Sequence, residues 1–143
     1  MEKTIADLKA TLLEIYSETT VAHILHPRNT ERVSNPDGVA ACRSGCGETM
    51  KIWLKVRNQV VENAAYWTDG CAATIACGSM VTELVKDKTV AKALDITGRH
   101  VADALVELPD GNFHCAQLAA DTLAHALKDY LSLKQQPWKK LYR

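Results

Sequence analysis

Cysteine occurs in three short settings whose chemistry suits a soft metal: Ser44-Gly45-Cys46-Gly47-Glu48, Asp69-Gly70-Cys71-Ala72 and Phe113-His114-Cys115-Ala116. Thiolates bind zinc and iron-sulfur centres, imidazole suits zinc and iron, and a carboxylate adds a harder oxygen. Cys46, Glu48, Cys71, His114 and Cys115 therefore form a candidate ligand set. Glycine beside two of the thiols leaves the backbone free to take φ > 0 and to approach a bulky ligand closely. These thiols form no Cys-x-x-Cys knuckle, so the fold must assemble the site from remote segments. The other two of the five cysteines, Cys42 and Cys77, read as small buried hydrophobes. Cys77 lies six residues after Cys71 on one helical pattern and points elsewhere, while Cys42 is at most a reserve thiol. An odd cysteine count argues against a disulfide framework. His23, His100 and His125 fall on helical patterns and read as surface or satisfied core residues.

The elements that must position these groups are legible in the periodicity. Ile5, Leu8, Leu12 and Ile15 repeat at helical spacing, which predicts an amphipathic helix from Thr4 to Tyr16. A second helix runs from about Glu18 to Leu25 and stops before Pro27, which disfavours helical backbone at His26. The polar stretch Thr30 to Gly38, with its Asn35-Pro36-Asp37-Gly38 turn, reads as a mobile connection. Three strands follow: a short one at Val39 to Cys42, a clear one at Thr49 to Arg57, and a partner at Val60 to Thr68 returning from a tight turn at Asn58-Gln59. In the middle strand, Met50, Ile52, Leu54 and Val56 alternate with Lys51, Trp53, Lys55 and Arg57; Trp53 marks either a partner patch or packing beneath a helix. Helices are then expected from Ala72 to Lys86, from a Thr89 cap to Leu94, from a Thr97 cap to about Leu105, and from Cys115 to Leu133. Strands followed by helices, without βαβ alternation, predict an α+β fold with helices on one face of a three-stranded antiparallel sheet. All candidate ligands fall at element boundaries. Unpaired N–H groups at helix starts would favour the thiolate at Cys71 and Cys115.

Length and charge exclude several functions. The 143 residues suit a single domain over 1–143, with an N-terminal helix over 1–16 and a tail over 134–143. Lys plus Arg equals Asp plus Glu, at 17 each, which gives no basic excess for nucleic acid. The N-terminus lacks the apolar core of a signal peptide. No apolar run approaches the roughly 18 residues needed to span a bilayer. A soluble cytoplasmic protein is expected, with neither nucleic acid nor membrane as partner. A thiol enzyme using Cys115 and His114 is disfavoured, because adjacent residues seldom pair as nucleophile and base.

Gly45-Cys46-Gly47-Glu48-Thr49-Met50-Lys51, Gly70-Cys71-Ala72-Ala73-Thr74-Ile75-Ala76 and His114-Cys115-Ala116-Gln117-Leu118-Ala119-Ala120-Asp121 together resemble the U-type iron-sulfur cluster scaffold family, the IscU/NifU type. The flanks Tyr16-Ser17, His26-Pro27-Arg28-Asn29 and Thr82-Glu83-Leu84-Val85-Lys86 extend the likeness over nearly the whole chain. The resemblance implies a non-enzymatic scaffold that takes persulfide sulfur from a cysteine desulfurase, combines it with iron into a [2Fe-2S] cluster, and passes that cluster to acceptor apoproteins. It implies Cys46, Cys71 and Cys115 as thiolate ligands, Glu48 or His114 as the remaining ligand, and Cys115, on a flexible loop before its helix, as persulfide acceptor. Zinc is an expected occupant of isolated protein. The alternative is a zinc-dependent sulfur relay, but that branch carries an insertion of about twenty residues between the second and third cysteines, which this chain lacks. An iron donor, a ferredoxin or a second copy joined through a bridging cluster are further partners the resemblance leaves open. The chain departs from the family pattern at several points. Glu48 replaces the usual Asp. Leu108-Pro109-Asp110-Gly111-Asn112 replaces the docking stretch for an Hsp70-type chaperone, so chaperone-assisted release is not implied. Asn112 and Phe113 remove a lysine before the His-Cys pair. Ala116 replaces a serine expected to cap the helix. The carboxylate would bind iron more weakly than a further thiolate, leaving one corner of the site easy to open.

Overall fold

The computed structural model describes residues 4–138. Helix α1 spans Ile5–Leu13, with a capping box between Thr4 and Asp7, and α2 spans Glu18–Leu25, capped by Ser17. Strands β1 (Gly38–Arg43), β2 (Thr49–Arg57) and β3 (Val60–Thr68) pair antiparallel in the order β1-β2-β3. Asn58 and Gln59 both take positive φ, the backbone twist a two-residue hairpin turn requires. Then come α3 (Ala72–Val85), α4 (Val90–Ala93), α5 (Gly98–Ala104), a 3-10 turn at Asp110–Asn112 and α6 (Phe113–Gln135). Of the tail expected over 134–143, Lys134 and Gln135 instead continue α6, and residues 139–143 lie outside the described residues, as do the first three residues.

Period-two alternation along β2 sends Met50, Ile52 and Leu54 into a core closed by Val81 of α3 and by Leu123 and Leu127 of α6. Each such side chain contributes about 1.5–3 kcal/mol by leaving water. Gly78 permits this closure, because a Cβ there would lie 2.4 Å from the Tyr66 ring. The helices that cover the sheet pack on this one face, as the alternation requires.

Several expectations change. Thr30 to Gly38 is not a loose connection: Val33 packs on the opposite sheet face with Trp53 and Ala65. Trp53, 9% exposed, thus lies beneath this strap rather than under a helix. Arg32 and Lys51 stand 5.9 and 5.1 Å from its ring centre. The amphipathic N-terminal helix forms, but it ends at Leu13 and buries none of its residues. Helix α6 begins at Phe113, two residues earlier than expected, which moves Cys115 from a loop into the first turn.

Candidate functional site

The first boundary is the loop between β1 and β2. The Ser44 N–H donates to the Glu48 carbonyl at 2.8 Å, and the Gly47 N–H to the Ser44 carbonyl at 3.0 Å. Gly47 has φ +91°, a left-handed conformation that glycine adopts without steric cost. The tight loop presents Cys46 to solvent and returns Glu48, half-buried, toward the protein. The second boundary is stitched to the first: the Thr49 N–H donates to Asp69 Oδ1 at 2.8 Å, and Thr68 Oγ1 donates to the Thr49 carbonyl at 2.7 Å. Cys71 is the N-cap residue of α3 and is exposed. At the third boundary, the 3-10 turn runs directly into α6, whose start has no side-chain cap. The Arg99 guanidinium covers the Phe113 ring at 5.0 Å from its centre. One residue on, His114 is exposed and Cys115 fully buried.

These boundaries converge on a hydroxyl. Thr74 Oγ1 donates to Glu48 Oε2 at 3.0 Å and lies 3.3 Å from Cys115 Sγ and 3.5 Å from Cys71 Sγ. His114 Nε2 is 3.5 Å from Cys115 Sγ and 3.9 Å from Glu48 Oε2. Glu48, His114 and Cys115 thus present ligand atoms within 4.8 Å of one another. Cys71 adjoins this group through Thr74; Cys46 stands on the same hairpin, two residues before Glu48, outside the group. The donors present, soft sulfur with imidazole and carboxylate, fit iron or zinc.

The thiols differ sharply in environment. Burial pushes the Cys115 thiol up to about 11; the Thr74 hydrogen bond opposes this, while negative charge at Cys71 and Glu48 adds to it. The expected lowering by the helix start is therefore overturned for Cys115. Cys77 is buried in the core, and the same loss of hydration raises it further. Tyr16 borders the site: its phenol is raised by burial and then by the thiolate charges of Cys71 and Cys115.

Residues 15–137 match the NifU-like N terminal domain family. The chain belongs to that family. The iron-sulfur cluster assembly scaffold protein IscU 1 of Archaeoglobus fulgidus is 43% identical over 117 residues, covering 81% of this chain and 76% of its own. The IscU scaffold of Escherichia coli is 38% identical over 125 residues, covering 84% and 97%. The crystal structure of a NifU-like protein (N-terminal) from Brucella abortus has a TM-score of 0.63 at 22% identity over 85% of this chain and 97% of that one, which shows the shared fold.

Among the sequence candidates of this family member, Glu48, His114 and Cys115 meet directly and Cys71 adjoins them. Cys42, half-exposed on β1, instead lines a neighbouring cleft of about 640 Å³ with Ser44, Asp121 and His125. Ala116 is a buried position within α6 rather than its cap. Thr74 is the functional candidate that motif reading passed over. Its signal is spacing, three residues after Cys71 and so on the same helix face.

Proposed function

We propose that the protein is a scaffold on which a [2Fe-2S] cluster is assembled from iron and desulfurase-derived sulfur and then handed to acceptor apoproteins. The observation that carries this is the convergence of Glu48, His114 and Cys115, joined by Cys71, from three separate element boundaries. Curated relatives carrying the scaffold name support it. The site holds iron and cluster as cargo, through Cys46, Cys71 and Cys115 with Glu48 or His114 completing the set. Zinc would occupy the same donors in isolated protein. The mixed sulfur and oxygen set leaves a weak corner, as release requires.

Cys115 is the proposed sulfur acceptor. Its thiolate attacks the outer sulfur of the desulfurase persulfide; a new S–S bond forms on Cys115, the old one breaks, and the desulfurase cysteine leaves as thiolate. Because Cys115 is fully buried and its thiol is raised, the first turn of α6 must open for this step. That turn lacks the side-chain cap that stabilises helix starts by about 1 kcal/mol, which makes opening inexpensive. His114, 3.5 Å from the sulfur, is placed to take its proton. The protein catalyses no turnover of its own in this reading and is cytoplasmic; among the described residues no helix is long and apolar enough to cross a membrane.

Anaerobic incubation with ferrous iron, cysteine and a cysteine desulfurase tests the proposal. Visible absorption and acid-labile sulfide should appear and should be lost in each of Cys46→Ser, Cys71→Ser and Cys115→Ser. Zinc retained without sulfide uptake would favour the zinc-dependent sulfur relay.

A further inference from the structure

Thr74 is fully buried, and the partners of its hydroxyl are all candidate ligands: Glu48, Cys71 and Cys115. A buried threonine in a helix ordinarily turns back to a carbonyl one turn earlier. Two others in this protein do so, Thr82 to the Gly78 carbonyl at 3.1 Å and Thr122 to the Leu118 carbonyl at 2.7 Å. Thr74 instead points out of the first turn of α3 into the site. Gly70 makes room, since a Cβ there would lie 2.7 Å from Thr74 Oγ1.

A hydroxyl has one proton and two lone pairs. Thr74 Oγ1 faces two acceptors, Glu48 Oε2 at 3.0 Å and Cys115 Sγ at 3.3 Å, and the carboxylate oxygen is the stronger of the two, while between Thr74 Oγ1 and Cys71 Sγ, 3.5 Å apart, either can donate. We propose that Thr74 is the positioning residue for Glu48: by holding Oε2, 3.9 Å from His114 Nε2, it fixes the carboxylate in the group of ligand atoms formed with His114 and Cys115. The proposal rests on the reading of this site as a metal and cluster centre. A ligating carboxylate is commonly held by such a hydrogen bond, and losing the partner typically costs about 10- to 100-fold in metal affinity.

Titration of the full-length, reduced protein with cobalt(II) under anaerobic conditions tests this without relying on cluster assembly. Thr74→Val keeps the side-chain shape and removes the hydroxyl; Thr74→Ser restores it. Thr74→Val should weaken cobalt binding by about tenfold, with Thr74→Ser within about threefold of the unaltered protein. The visible ligand-field bands should shift in Thr74→Val, whereas the thiolate-to-cobalt charge-transfer band should keep its intensity at saturation. Adding Thr74→Val to Glu48→Ala should weaken binding no further. Full additivity, unchanged affinity in Thr74→Val, or loss of the charge-transfer band would each overturn the role through Glu48. Circular dichroism of each variant separates these outcomes from misfolding, and a Thr74→Ser variant that folds but fails to restore binding also overturns it. If the unaltered protein binds no cobalt through Cys46, Cys71 and Cys115, the metal-site reading itself fails; if it binds cobalt and the double variant is additive, only the role of Thr74 fails.

Discussion

A thiol in the first turn of a helix gains from the N–H groups left unpaired there, an effect of about 0.3–1 kcal/mol, less than one pKa unit. Cys115 rises from 9.0 to about 11, so the cost of removing its thiolate from water exceeds both the helix end and the Thr74 hydrogen bond. Accessibility should therefore sort the cysteines. In timed alkylation near neutral pH followed by peptide mass spectrometry, Cys46 and Cys71 should label first and Cys115 far more slowly, with Cys77 modified only on unfolding. Labelling of Cys115 as fast as Cys46 would show that α6 is open at its start in the resting protein. The cysteines, Glu48 and His114 were legible as ligand types beside glycines or element breaks. Thr74 was not, because a threonine inside a helical pattern carries no chemical mark until its backbone partner proves missing.

Between α2 and α3 a polar clasp holds the segment that leads into the strap. His23 Nδ1 lies 2.6 Å from Ser79 Oγ, which accepts from the Arg28 N–H at 3.0 Å. Arg28 also pairs with Glu83 at 3.5 Å. Burial, then the Arg28 charge, holds His23 below its usual 6.5. The folded protein thus binds this proton less readily than the unfolded chain. Stability from a neutral His23 is complete above 6.5 and falls as pH drops through the lower folded value. Urea midpoints measured between about pH 7.5 and about pH 5 should fall with acid, and His23→Gln should flatten that part of the curve. An unchanged slope in His23→Gln would assign the acid sensitivity elsewhere. The elements themselves were readable where one face is buried: β2 alternates cleanly because every second residue enters the core. The strap was not readable, since Val33 alone among polar neighbours gives no period, and Trp53 needed that strap to explain its burial.

At the scale of the molecule, the family match begins at residue 15, just beyond α1, and α1 buries none of its residues. Its apolar stripe was visible in sequence, but periodicity cannot say whether a partner element exists to cover it. Stability instead resides in the sheet and the helices closing on it, and the candidate site is built across the ends of those same elements. Glu48 comes from the β1–β2 loop, Cys71 from the start of α3, and His114 and Cys115 from the start of α6. An unfolded chain holds none of these in register, so a metal bound there favours the whole folded state by mass action. Free zinc at about 100 times its dissociation constant should add about 2.7 kcal/mol, and a gain of that size should raise the melting midpoint by roughly 5–10 °C for a chain of this length. Excess EDTA should reverse the gain, and the Cys71→Ser, Cys115→Ser double variant should lose most of it while melting near the metal-free midpoint. Calorimetry at fixed free zinc measures this; an undiminished zinc response in the double variant would place the ion away from these boundaries.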